Sequence, residues 1–129
     1  MTATVPPAKT LSPNIIASSR TLLKIFHRLR DRYQGMTVLQ AMCFVQVAAV
    51  PGINQKRLYE ELGATGSAAS RILALLSDIG DRNTAGLDLV KSSMGGSDSR
   101  ERLLYLTPKG KRLIEEIVED LQKDSKPSS

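Results

Sequence analysis

The stretch from Ile53 to Thr107 constrains this chain more than any other. It reads INQKRLYEELGATGSAASRILALLSDIG, then a polar turn, then LDLVKSSMGGSDSRERLLYLT. The order predicts a short helix, a turn, a second helix and a two-stranded hairpin. Leu58 and Leu62 stand four apart, on one face of the first helix. Gly63 falls where one helix must stop and the chain swing into the next, and glycine readily takes the positive φ of such a stop. Thr65 or Ser67 can cap the second helix by accepting from its free N–H groups. Ala69, Ile72, Leu73 and Leu76 form its expected buried stripe. Ser67, Ala68, Ser70 and Arg71 are left near its exposed N-terminal half. Small hydrogen-bonding side chains with one guanidinium suit an element that approaches a groove closely.

After Gly80 the period changes from helical to alternating. Leu87, Leu89 and Lys91 alternate with Asp88, Val90 and Ser92, and Arg102 to Leu106 is a second β-prone run. Between them SMGGSDSRE is a polar loop with Gly95 and Gly96 at its tip. A hairpin directly after a helix-turn-helix is a wing. The expected helix-turn-helix spans about residues 54–79 and the wing about residues 87–106. Arg100 would sit at the wing tip, with Lys91 and Arg102 on the flanking strands.

In order and spacing this run resembles the MarR family of winged-helix transcription regulators. The matching pieces are Glu61-Leu62-Gly63 before the turn, Ser70-Arg71 in the second helix and Asp98-Ser99-Arg100 in the wing. Leu106-Thr107 and Gly110 follow at the family's spacing. The resemblance covers residues 36–121. One departure is DRNTAGLDLV after Gly80, where the family is usually tighter, and which lets the first wing strand start late. The resemblance implies a mainly α fold with a small β-hairpin wing: a winged helix-turn-helix with N- and C-terminal dimerisation helices. It also implies a sequence-specific regulator that binds double-stranded DNA as a homodimer on a palindromic operator. Asp98 would support Arg100 as a minor-groove arginine. A small-molecule effector is compatible with the resemblance, but nothing in the sequence specifies one.

On this reading each candidate residue has a role. Lys56 and Arg57, at the start of the first helix, would contact phosphate. Ser67, Ser70 and Arg71 would enter the major groove, where Arg71 can make a bidentate contact to guanine. Arg100 would reach the minor groove, with Lys91, Asp98 and Arg102 around it.

The two flanks are helical. Residues 1–12 contain Pro6 and Pro7 and little that packs, and are expected to be a disordered arm. Ser12-Pro13 is a cap followed by a helix-starting proline, so residues 13–33 are expected to be helical, with Leu22, Phe26, Leu29 and Tyr33 on one face. Thr37 caps a further apolar helix, Val38 to Val50, ended by Pro51-Gly52. Thr107-Pro108 opens a last amphipathic helix with Leu113, Ile114, Ile117, Val118 and Leu121. Its acidic face could cover the first helix or meet the basic Arg28–Arg32 face of a partner subunit. The folded domain is expected to span residues 13–123, with a flexible tail at 124–129.

Charge narrows the partners. Residues 1–57 carry 8 Lys/Arg and 1 acid, whereas residues 58–129 carry 10 and 12, within an overall +5 and a pI near 9.6. A basic balance favours an anionic partner. Cys43 is the one cysteine and lies in the apolar run AMCFVQVAAV, so it is expected to be a buried core thiol. That run is too short to span a bilayer, and the N-terminus has no apolar signal core, so a cytoplasmic location is expected. His27 has no Cys/His/Asp cluster around it, so no metal or cofactor is expected. No phosphate-cradling glycine loop, CxxC, HExxH or nucleophile elbow occurs, which points away from an enzyme. The alternative is a protein–protein interaction module in a replication, secretion or other multi-subunit complex, since fold does not dictate function. The alanines at 68, 69 and 74 give the second helix a bare face that suits it.

Overall fold

The structure is a computed structural model, and it describes residues 11–80, 84–95 and 98–125. Five helices surround a small sheet: α1 (Pro13–Arg32), α2 (Val38–Ala49), α3 (Gln55–Leu62), α4 (Gly66–Leu76) and α5 (Pro108–Ser125). The strands are β1 (Ile53–Asn54), β2 (Val90–Gly95) and β3 (Asp98–Leu106), all antiparallel, in the order β1-β3-β2. The expected arm falls almost wholly on residues 1–10, outside the described residues. α5 continues to Ser125, two residues into the expected tail, and residues 126–129 again lie outside.

Local chemistry accounts for the helix starts. Ser12 accepts from the Ile15 N–H at 3.4 Å, with Pro13 in the first turn. Thr37 and Gln40 form a reciprocal capping box, each side chain bonding the other's backbone N–H. Thr107 Oγ1 accepts from Gly110 N at 3.0 Å and donates to the Asp88 carbonyl at 2.5 Å, so one hydroxyl both caps α5 and ties it to the segment before β2. Gly63 ends α3 at φ 66.

α2 is the central helix. Phe44 and Val47 are fully buried, and α2 touches α3, α4, α5 and β3. The core adds Leu58 from α3, Ile72 and Leu76 from α4, Leu104 and Leu106 from β3, and Leu113 and Ile117 from α5. On α4 the buried stripe is Ala69, Ile72, Leu75 and Leu76. Leu73, expected in it, is only half-buried and packs against the core, while Leu75 is buried as well.

The first wing strand starts at Val90, not at Leu87. The N–H groups of Leu87, Asp88 and Leu89 bond the carbonyls of Leu75, Ser77 and Leu76 at 2.8, 3.0 and 2.7 Å. These are last-turn carbonyls of α4, left without partners inside the helix. Residues 87–89 therefore close off α4 instead of pairing with β3, and Asp88 turns through a left-handed φ of 56 to do so. β3, in turn, begins earlier than Arg102, and β1 is a strand that alternation alone did not predict.

Candidate nucleic-acid interface

The first turn of α3 carries two of the candidate cations. Asn54 caps it, its Oδ1 accepting from Arg57 N at 2.7 Å. Lys56 and Arg57 follow, both exposed. They differ in availability. Arg57 Nε is held by Glu61 Oε1 at 2.8 Å, and the other oxygen of Glu61 accepts from Gln46 Nε2 of α2 at 2.6 Å. Lys56 has no hydrogen bond or ion pair among the described residues.

Helix α4 presents Ser67, Ser70 and Arg71 to solvent, with Ala68 half-buried beneath them. The i, i+3, i+4 spacing puts the three on one face. Arg71 pairs with neither Glu60 nor Asp78 and is free among the described residues. Thr65 stands at the cap position, but its side chain makes no capping bond, and neither does Ser67. The small first turn Gly66-Ser67-Ala68 keeps the backbone of α4 accessible at that end.

Strand register divides the wing candidates. Lys91 stands opposite Tyr105, and Met94 opposite Arg102. Successive strand residues alternate between faces, so Lys91 shares a face with Tyr105, Leu103 and Glu101, and Arg102 lies on the face of Leu104 and Leu106. Arg102 is exposed near the tip. Lys91 sits at the wing base and, with Lys111 of α5, Val47, Pro51 and Ile114, lines a cavity of about 900 Å³. Asp98 and Arg100 belong to β3, but their side chains lie outside the described residues, and with them the expected Asp98–Arg100 pair.

The basic N-terminal half is partly neutralised within the chain. Arg28 bonds Asp120 through Nε–Oδ2 (2.6 Å) and Nη2–Oδ1 (3.2 Å), and Glu116 through Nη1 (3.2 Å). Lys24 Nζ lies 3.3 Å from Asp120 Oδ1. The Arg28 hydrogen bonds, with help from Lys24, hold the Asp120 carboxyl below the usual carboxylate range against the opposing effect of burial. So Glu116 and Asp120 of α5 bind the first helix of their own chain, one of the two arrangements left open above. Cys43 is buried, and loss of water pushes its thiol up to about 11. Among the described residues no cluster of His, Cys, Asp or Glu could hold a metal, and no helix is long and apolar enough to cross a membrane.

Three polar residues at this site have bonding roles that the sequence reading did not assign: Asn54, Gln46 and Glu61. The Asn54 cap was detectable, since an Asn directly before an amphipathic run is a helix-start signal. The Gln46–Glu61 bond joins two helices and has no such local signal.

No family model matches the sequence, and no curated protein matches it either. Solved structures do match. MepR of S. aureus, in a complex with DNA, superposes at TM-score 0.64 with 20% identity, covering 84% of this chain and 81% of that one. RV1404 from Mycobacterium tuberculosis gives TM-score 0.63 and 22% identity, covering 92% and 80%. A MarR transcriptional regulator from Methanosarcina mazei Go1 gives TM-score 0.59 and 19% identity, covering 84% and 71%. At these identities the likeness is one of fold: five helices and a three-stranded wing sheet arranged as in the MarR-type winged helix.

Proposed function

We propose that this chain, whose fold is that of the MarR-type winged-helix regulators, is a sequence-specific double-stranded DNA-binding transcription regulator. One observation carries the reading: Arg71, Ser67 and Ser70 form an exposed face on the second helix of the helix-turn-helix, and Arg71 has no partner among the described residues. An arginine left free on that face can make a bidentate contact to a guanine edge. MepR, a structural neighbour, was captured on DNA, which supports the same reading. Lys56, and Arg57 once released from Glu61, would meet phosphates. Arg100 and Arg102 would follow along the wing, with Asp98 steadying Arg100. Lys91 would join only as a phosphate contact at the wing base.

The active form would be a cytoplasmic homodimer. Leu22 and Phe26 on α1 and Leu121 on α5 are 50%, 59% and 47% exposed, more large apolar surface than chain-end helices leave in water without a partner. A two-fold dimer would place two α4 helices in successive major grooves.

The test is selection of bound duplexes from a random pool, followed by titration of the winner against salt. Enrichment of a palindrome, with affinity falling steeply as salt rises, is expected. No enrichment, together with binding indifferent to salt, would overturn the reading in favour of a protein partner.

A further inference from the structure

Asn54 has two tasks at once. Its Oδ1 caps α3 by accepting from Arg57 N at 2.7 Å, while its Nδ2 donates to Glu101 Oε1 of β3 at 2.9 Å, 47 residues along the chain. The register brings this about. Asn54 pairs with Leu103, and Glu101, two residues nearer the wing tip, points to the same face as Leu103. Both side chains are half-buried.

The place of this bond in the fold is distinctive. Asn54 is the last residue of β1, and toward the tip β3 pairs only with β2, through Met94↔Arg102 and Gly95↔Asp98. The Asn54–Glu101 bond therefore reaches past the last backbone pair between the helix-turn-helix and the wing. On the α3 side Lys56 and Arg57 follow at once. On the wing side Arg100 and Arg102 flank Glu101. A carboxylate so near in sequence to cations that would approach phosphates works against binding by simple electrostatics. As a charged acceptor for a half-buried amide, it makes a stronger bond than a neutral one would.

We infer that Asn54 and Glu101 are positioning residues that set the wing against α3, so that the cations of the two elements meet phosphates together. The inference rests on the DNA-binding reading above and deepens it. The cost of the Glu101 charge is offset because a pre-set wing need not be ordered on contact.

Variants matched in charge test this. Glu101→Gln keeps the acceptor and loses the charge, whereas Glu101→Ala loses both. Asn54→Asp keeps a helix-capping oxygen but sets two carboxylates together. Combining Asn54→Asp with Glu101→Gln restores the net charge and re-forms the bond with donor and acceptor exchanged. On one selected duplex, Glu101→Ala is expected to bind about fivefold to tenfold more weakly than Glu101→Gln, with a salt slope shallower by about one phosphate. The double variant is expected to return to within about twofold of the parent from the larger loss of Asn54→Asp alone. Melting curves on each variant confirm that the folded chain is being compared. Equal affinity and equal salt slope for Glu101→Ala and Glu101→Gln would overturn the positioning role while leaving DNA binding intact. So would a double variant no better than Asn54→Asp. A parent chain that selects and binds no duplex, even at low salt, would sink the DNA-binding reading itself and the positioning role with it.

Discussion

Arg28 grips Asp120 through two parallel hydrogen bonds, at 2.6 and 3.2 Å, and so binds the first helix to the last. The Asp120 side chain is 1% exposed, while that of Arg28 keeps 31%. The fork geometry of a guanidinium matches a carboxylate edge-on, and Lys24 takes up the remaining attraction at 3.3 Å. The bond joins two elements separated by most of the chain.

Asp120 should make the α1–α5 contact sensitive to acid. Its folded pKa is depressed, so its contribution is present above the usual carboxylate value and is lost as pH falls through the folded one. Asp120→Asn is expected to melt roughly 3–8 °C lower at neutral pH. Below the usual carboxylate range the gap to the parent should close. Melting curves from pH 7 down to pH 3 check this, and a gap that stays constant would remove Asp120 from the account.

Cys43 should act in the opposite direction. Its pKa is raised to about 11 from an ordinary 9.0, because the buried thiolate would lose its water. The stability tied to the neutral thiol is full below pH 9 and is lost as pH rises toward 11. The loss is at most about 2–3 kcal/mol. The parent is expected to lose more stability over that window than Cys43→Ala, read as the difference between their denaturant midpoints. Alkylation of Cys43 at pH 8 should be slow in the folded protein and fast once it unfolds.

Lys56 and Arg57 should prove unequal despite being neighbours. Lys56→Ala is expected to weaken binding to all duplexes about equally, as a phosphate contact does. Arg57→Ala should cost less, because Glu61 already holds its guanidinium at 2.8 Å. Arg71→Ala should cost about 1–3 kcal/mol and relax preference at one base position. Titration against a set of single-base variants separates these outcomes. If Arg71→Ala lost affinity with no change of preference, Arg71 would not be reading bases.

Gly63 offers a stability test free of packing effects. A Cβ there would meet nothing within 4 Å, so only the φ of 66 opposes substitution. Gly63→Ala is expected to cost about 1 kcal/mol or slightly more, and Gly63→Asn less, since Asn adopts the left-handed region more readily. Equal losses for the two, measured by chemical denaturation, would mean that something other than backbone conformation is at work.

Much of the fold was legible in the residues because its determinants are local. Ser12-Pro13, Thr37, Gly63 and Thr107-Pro108 punctuate the helices within a few residues of where they act, and the 3.6-residue period marks each apolar face. The exposed positions of Ser67, Ser70 and Arg71 followed from the same period, since what one face buries the other must show. What the tertiary structure decided was every choice between partners distant in sequence. Leu87–Leu89 could have extended the wing, but the open carbonyls of α4 took their N–H groups. Leu73 and Leu75 were both apolar, and the folded chain buries Leu75 while leaving Leu73 half-buried. Glu116 and Asp120 of α5 could have faced another subunit, but Arg28 of the same chain holds both, with Lys24 also on Asp120. Asn54 announced a helix cap, whereas its second bond, to Glu101, needed β1 to lie beside β3. A periodic pattern specifies which face of an element is apolar and where the element stops. Which distant donor meets which acceptor depends on the relative placement of elements, and that placement exists only once the core around Phe44 has closed.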